Sequence, residues 1–128
     1  MPDRIIQTEN APAAIGPYSQ AISAGGFLFT SGQLGINPET GMLEADIRSQ
    51  AARSLRNIQA ILDRAGFLKT DVVKTVIFLK DMSDFAVVNE IYADFFGSHK
   101  PARSCVEVAR LPKDGLIEIE AVAQRGGN

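Results

Sequence analysis

Tryptophan is absent from these 128 residues, and cysteine and histidine occur once each. A lone thiol cannot close an internal disulfide, so the chain is expected in a reducing, cytoplasmic compartment. One imidazole and one thiol cannot make a zinc site, and they leave a nucleophilic cysteine only one conceivable base. Long apolar runs are missing too. Nothing approaches the ~20 residues of a membrane helix, and the opening Met1-Pro2-Asp3-Arg4 leads into no stretch of signal-peptide length. Excess positive charge is also lacking: the formal net charge is −2, which gives no electrostatic reason to seek nucleic acid or anionic lipid. Gly32-x-x-Gly35 is too short for a phosphate loop and carries no lysine. What is present is 45% hydrophobic residues without repeat or low-complexity tract, the composition of a single domain over residues 1–128.

Glycine and proline punctuate the first third. Gly25-Gly26 supplies the positive φ angles of a tight hairpin turn, which predicts strand, turn and strand from about Ala21 to Gln33. Asn37-Pro38-Glu39-Thr40-Gly41 is a second turn signal. Ile47, Ala51, Leu55, Ile58, Leu62 and Ala65 then recur at three- and four-residue steps, predicting an amphipathic helix capped by Asp46 and ended by Gly66. Val72 to Leu79 reads as a central strand covered on both faces. Ser83 fits the N-cap of a second helix with Phe85, Val88, Ile91, Tyr92 and Phe95 as its buried stripe and Gly97 at its end. Strands follow at Ser104–Ala109 and Leu116–Ala123, joined by the turn Leu111-Pro112-Lys113-Asp114-Gly115, and the Gly126-Gly127-Asn128 tail is expected to fray.

The resulting α+β order has two helices, enough to cover one sheet face. Alternation nevertheless puts apolar residues on both faces of the central strand, with Val73, Ile77 and Leu79 on one and Val76 and Phe78 on the other. The expectation is that another subunit covers the second face. In the strand after Pro101, Arg103, Cys105 and Glu107 share a face; in the last strand Glu118 and Glu120 do. If these two strands pair, a guanidinium, a thiol and several carboxylates line one surface. Such a surface is ordinarily just the wet side of a sheet. At an intersubunit cleft, the same groups suit the binding of a carboxylate and the steering of a water.

The segments Ala11–Gln20 (APAAIGPYSQ), Thr30–Gln33 (TSGQ), Val73–Asp81 (VKTVIFLKD) and Pro101–Ala123 (PARSCVEVARLPKDGLIEIEAVA) resemble the RidA/YjgF family of reactive-intermediate deaminases. The resemblance runs from Thr8 to about Ala123. It implies a fold like that of bacterial chorismate mutase, a six-stranded mixed sheet with two helices on one face, assembled as a homotrimeric barrel with sites between subunits. It implies hydrolysis of 2-enamino and 2-imino acids, such as 2-aminoacrylate and 2-iminopropanoate, to 2-keto acids and ammonia. These intermediates escape from pyridoxal-phosphate enzymes and damage that cofactor elsewhere. No cofactor or metal is implied. Carried over by position, the arginine for the substrate carboxylate is Arg103 and the water-handling glutamate is Glu118. Tyr18, Ser31, Asn89 and Cys105 complete the set. Periodicity does not separate Glu118 from Glu120; the resemblance alone does.

Plainer roles stand beside these. Cys105 equally reads as a small buried hydrophobe, Tyr18 as packing for a turn, Ser31 as the end of a strand, Asn89 as a polar helix position and His99 as a solvated loop residue. The four residues Gly97-Ser98-His99-Lys100 before Pro101 are fewer than archetypal members of the family have, which bears on pocket shape. A ribonuclease or translation-inhibitor function, described for some relatives, lacks a basic stripe, an aromatic platform and a histidine pair here. A non-catalytic carboxylate-binding or chaperone-like trimer is the remaining alternative.

Overall fold

The computed structural model describes residues 4–125, so the expected tail at 126–128 and the first three residues lie outside the described residues. Nine principal elements follow in order: β1 (Ile5–Ile6), β2 (Ala21–Ala24), β3 (Phe27–Thr30), β4 (Gln33–Leu34), α1 (Ile47–Ala65), β5 (Val72–Leu79), α2 (Phe85–Phe96), β6 (Ala102–Glu107) and β7 (Ile117–Gln124). Gly25 and Gly26 turn the β2–β3 hairpin at φ of 58° and 83°, angles that a Cβ would make strained.

The sheet runs β1-β2-β3-β7-β5-β6, with β4 also paired to β7. It is antiparallel except where β5 and β6 run parallel, joined by the α2 crossover. The expected six strands are thus six positions filled by seven segments. β3 and β4 lie along the same edge of β7, with a break at Ser31-Gly32. The topology also corrects one expectation. β6 and β7 do not pair, because β5 lies between them and bonds to both.

Helix α1 has the predicted ends. The Asp46 carboxylate accepts from the Ser49 amide, and Gly66 takes a left-handed C-cap at φ 81°. At α2 the expected cap shifts. Ser83 lies inside a short 3₁₀ turn (Met82–Asp84), and Asp81 accepts its amide and hydroxyl. A longer acceptor two residues upstream captures the serine that would otherwise cap.

Both helices pack on one sheet face, and Leu28, Ile58, Ile61, Leu62, Ile77, Leu79, Ile117 and Ile119 are almost wholly buried between the layers. Burying such side chains contributes roughly 1.5–3 kcal/mol each, which drives the two layers together. Strand β5 departs from simple alternation. A bulge between Val72 and Lys74 puts Val72 in the core and leaves Val73 42% exposed, so Val73 does not share the face of Ile77 and Leu79. The opposite face carries Phe29, Val76, Phe78, Val106 and Val122, exposed or half-exposed, and no helix covers it among the described residues. The central strand is therefore covered on one face only in a single copy.

Candidate active site

The sequence-derived site residues fall into two groups on opposite faces of the sheet. Arg103 and Cys105 alternate inward on β6, toward the helices, in register with Thr75 and Ile77 of β5. Glu118 and Glu120 alternate outward on β7, opposite Phe78 and Val76. The shared surface expected for guanidinium, thiol and carboxylates does not form within one chain, because the side chains of β6 and β7 in question take opposite faces of the intervening strand.

Arg103 is tightly located. Its Nη1 donates to Oδ1 of Asn89 on α2 at 2.7 Å, and its guanidinium lies 5.0 Å from the Tyr92 ring and 5.4 Å from the Phe85 ring. Tyr92 is itself held by a 2.7 Å hydrogen bond with the Thr75 hydroxyl, and burial pushes its phenol upward in pKa. Among the described residues no carboxylate forms an ion pair with Arg103. A guanidinium has five N–H donors, and the recorded bond occupies one. The arrangement holds a cation in place with a fork of donors available to an anion. Cys105, half-buried against the core, has its thiol pKa raised by burial, with Arg103 opposing weakly. A thiol so shifted is not an activated nucleophile.

The second group lines a cavity of about 700 Å³ that includes Tyr18, Ser31 and Glu118. The break between β3 and β4 makes this possible. A Cβ on Gly32 would stand 2.7 Å from Cδ and Oε2 of Glu118, so glycine lets the carboxylate lie directly across the backbone. Beside it, the Ser31 hydroxyl donates to the Ser19 carbonyl at 2.6 Å and ties the β3 end to the loop carrying Tyr18, which is 54% exposed. Glu118 has no hydrogen-bond partner among the described side chains. Burial, and then the negative charge of Glu120, raises its pKa. Geometry now separates the two glutamates: Glu118 lines the cavity and meets Gly32, whereas Glu120 faces Val76 on the open sheet.

His99 is not a free loop residue. Its Nε2 makes a 2.7 Å hydrogen bond with the Val72 carbonyl, which fixes the short loop before Pro101. Sequence reading also missed a polar row on α1. Ser54 donates to the Gln33 carbonyl (2.7 Å), Asn57 to the carbonyls of Leu34 (3.1 Å) and Ile36 (3.0 Å), and Gln50 to that of Glu44 (2.9 Å). Ser54 and Asn57 thereby anchor β4 and the residues just after it, and Gln50 holds the loop that leads into α1. The signal was available: residues 50, 54 and 57 follow helical spacing on the flank of the apolar stripe.

Among the described residues no three or more His, Cys, Asp and Glu side chains are grouped so as to hold a metal ion, and no helix is long and apolar enough to cross a membrane.

The sequence profile of the family described as Endoribonuclease L-PSP matches residues 8–125. The 2-iminobutanoate/2-iminopropanoate deaminase of Escherichia coli K12 is 56% identical over 125 residues, covering 95% of this chain and 98% of that protein. A RutC family protein of Pyrococcus horikoshii is 58% identical over 122 residues, covering 94% and 97%. Among solved structures, the YjgF gene product of E. coli superposes with a TM-score of 0.92 at 55% identity, covering 96% and 99% of the two chains. E. coli TdcF with bound serine superposes at 0.93 and 49% identity, covering 97% and 100%. A profile match over nearly the whole length, joined to these identities, places the chain in the Endoribonuclease L-PSP family, the RidA/YjgF group that its motifs resemble.

Proposed function

We propose that this chain hydrolyses 2-imino acids and their 2-enamino tautomers to 2-keto acids and ammonia. It does so in the cytoplasm and without a cofactor, as a chorismate mutase-like homotrimer that protects pyridoxal-phosphate enzymes from these intermediates. The observation that carries the reading is Arg103, a guanidinium pinned by Asn89 and two rings with no counter-ion among the described residues. Relatives 54–56% identical along nearly their full length are named 2-iminobutanoate/2-iminopropanoate deaminase, and the TdcF structure holds serine, itself a small 2-amino acid.

Arg103 and Glu118 occupy opposite faces of the sheet, so one small substrate meets both only where the Arg103 side of one copy abuts the Glu118 side of another. The uncovered apolar face supplies the surface for that association. Arg103 takes the substrate carboxylate through two parallel N–H···O bonds. Asn89 holds the guanidinium, and Tyr18, Ser31 and the Cys105 segment wall the bound molecule. Glu118 then accepts a proton from a water as its oxygen attacks the iminium carbon. The C–O bond forms while the C=N π pair moves to nitrogen. Glu118 returns the proton to nitrogen. An oxygen lone pair closes the C=O bond as the C–N pair leaves with ammonia. The hydroxyl proton passes by way of Glu118 to that ammonia, and a keto acid and an ammonium ion leave. A carboxylate with a raised pKa is the stronger base for this exchange, and general-base assistance is worth roughly 10²–10⁴-fold.

Ribonuclease activity, which the family's description names, has less support here. The one histidine is engaged with the Val72 carbonyl, and the net charge is −2. The test is release of keto acid from imines generated in situ by oxidation of 2-amino acids. Wild-type protein should outpace solvent hydrolysis. Arg103→Lys should lower kcat/KM by about tenfold or more, the loss expected when a charged hydrogen bond worth ~1.5–3 kcal/mol is removed. Unchanged release by Arg103→Lys, or full activity from a monomer, overturns the reading. RNA cleavage that survives purification and vanishes in Arg103→Ala would favour the ribonuclease.

A further inference from the structure

Resting on the deaminase reading above, we infer that Lys113 is a substrate-binding residue whose ammonium holds the anionic imino acid at the cavity containing Glu118. The loop between β6 and β7 has an unusual backbone. Lys113 (φ 57°) and Asp114 (φ 59°) are consecutive left-handed residues and neither is glycine. In that region the Cβ crowds the following carbonyl, so glycine or asparagine would be adopted with less strain. Strain of this kind persists where the surroundings impose it, and it concentrates at functional sites.

The surroundings here do impose it. Leu111 is buried at one end of the loop, and Gly115 is buried at the other, where an added Cβ would come within 2.9 Å of Leu34 Cδ2. Asp114 N–H donates to the Leu111 carbonyl at 3.1 Å, and Gly115 N–H donates to that of Pro112 at 3.0 Å, closing the turn. The Arg110–Asp114 contact, 3.6 Å long between side chains about four-fifths exposed, adds little. What the conformation achieves is placement. Lys113 borders the same cavity as Glu118 and is the one cation among the described residues lining it, as Glu118 is the one carboxylate.

An imino acid carries its own carboxylate, so ionised Glu118 repels the substrate it must serve. A lysine at the rim offsets that repulsion. Its ammonium is a hydrated point charge on a flexible stem rather than a fork, so it attracts an acid group without orienting it and leaves orientation to Arg103. Its effect therefore falls on substrate capture and not on the chemical step, and it weakens as salt screens it.

Lys113→Gly removes the charge while relieving the backbone, and Lys113→Arg keeps the charge. For Lys113→Gly the expected result is a KM raised about five- to tenfold, kcat within twofold, a flattened salt dependence of kcat/KM and no loss of thermal midpoint. Lys113→Arg should retain wild-type values. Arg56→Gln, an equal charge change on the exposed side of α1, should leave KM unaltered. A wild-type KM and salt slope in Lys113→Gly, or the same KM change in Arg56→Gln, would overturn the inference. Titration with 2-oxobutanoate in a calorimeter separates the two proposals, since it needs no turnover. A protein that binds the keto acid salt-dependently, and more weakly as Lys113→Gly, but releases none from imines, retains Lys113 as an anion site and loses the deaminase. Binding indifferent to Lys113→Gly removes Lys113 whatever the turnover.

Discussion

The two halves of the candidate site are built to opposite specifications. On the helix-covered face, Arg103 is fixed from several sides, by the Asn89 amide, by two aromatic rings and, behind Tyr92, by the Thr75 hydroxyl. On the open face, Glu118 lies over a glycine in a cavity, half-buried, with no hydrogen-bond partner among the described side chains and a pKa raised by burial and by Glu120. A group that only binds gains from immobility, because orientation is secured before the substrate arrives. A group that must take and return a proton gains from being left underpaired, because every hydrogen bond to a carboxylate lowers its basicity. Under the proposed function, the contrast would give binding to the rigid half and proton transfer to the frustrated half.

Removing the proton acceptor should break that contrast most severely. Glu118→Gln keeps the shape over Gly32 and abolishes the base, so kcat for keto-acid release should fall by about 10²–10⁴ with KM changed little. Steady-state kinetics over a range of imines would check this. A variant that keeps kcat and loses KM would reverse the two roles.

A smaller effect is expected on the rigid side. Asn89→Ala removes the 2.7 Å bond to Arg103 but leaves the two rings in place. The guanidinium should stay on its face with less orientational restraint. A hydrogen bond to a charged group contributes ~1.5–3 kcal/mol, and the rings and water recover part of it, so KM should rise about three- to tenfold. Addition of the Arg103→Lys change to Asn89→Ala should then cost less than it does alone, since the two act as one unit. Additive losses in that double-mutant cycle would show that Asn89 does not act through Arg103.

How far this contrast was legible before the fold was known differs by element. Helix α1 could be read to its caps, because a 3.6-residue period flanked by Asp46 and Gly66 is local information. Which side chains share one strand's face is also local, and Glu118 with Glu120 and Arg103 with Cys105 were correctly grouped. Which faces of different strands coincide is not local. The position of β5 between β7 and β6 puts a whole strand between Arg103 and Glu118, and no period announces that. The bulge at Val72–Lys74 defeated the alternation rule at Val73 for the same reason, since it is defined against the partner strand. Glu118 differs from Glu120 only through Gly32, 86 residues earlier in the chain. Ser54 and Asn57 went unread because the carbonyls they satisfy belong to β4, which is too short to be seen as a strand, and to Ile36 just after it.

The least of the expected effects tests whether the frustration of Glu118 is real. A carboxylate whose pKa is raised by folding is disfavoured when ionised, so the native state binds its proton more readily than the unfolded chain does. The folded protein is then relatively stabilised below the ordinary carboxylate range. It loses that stabilisation as pH rises through the elevated native pKa, and above it the full penalty of holding the charge remains. Glutamine is neutral throughout and pays none of it. Glu118→Gln should therefore raise the thermal midpoint near neutral pH by about a degree or two, a small shift because the carboxylate is only half-buried and solvent screens it. The gap between variant and wild type should narrow as pH falls to about 4 and below, where the glutamate becomes protonated in the unfolded chain as well as the folded one. Melting curves across that range decide the point. A gap that is constant, or that widens in acid, would mean Glu118 is comfortably solvated or paired in the assembled protein, and the division between a pinned cation and a strained base would fail at its second half.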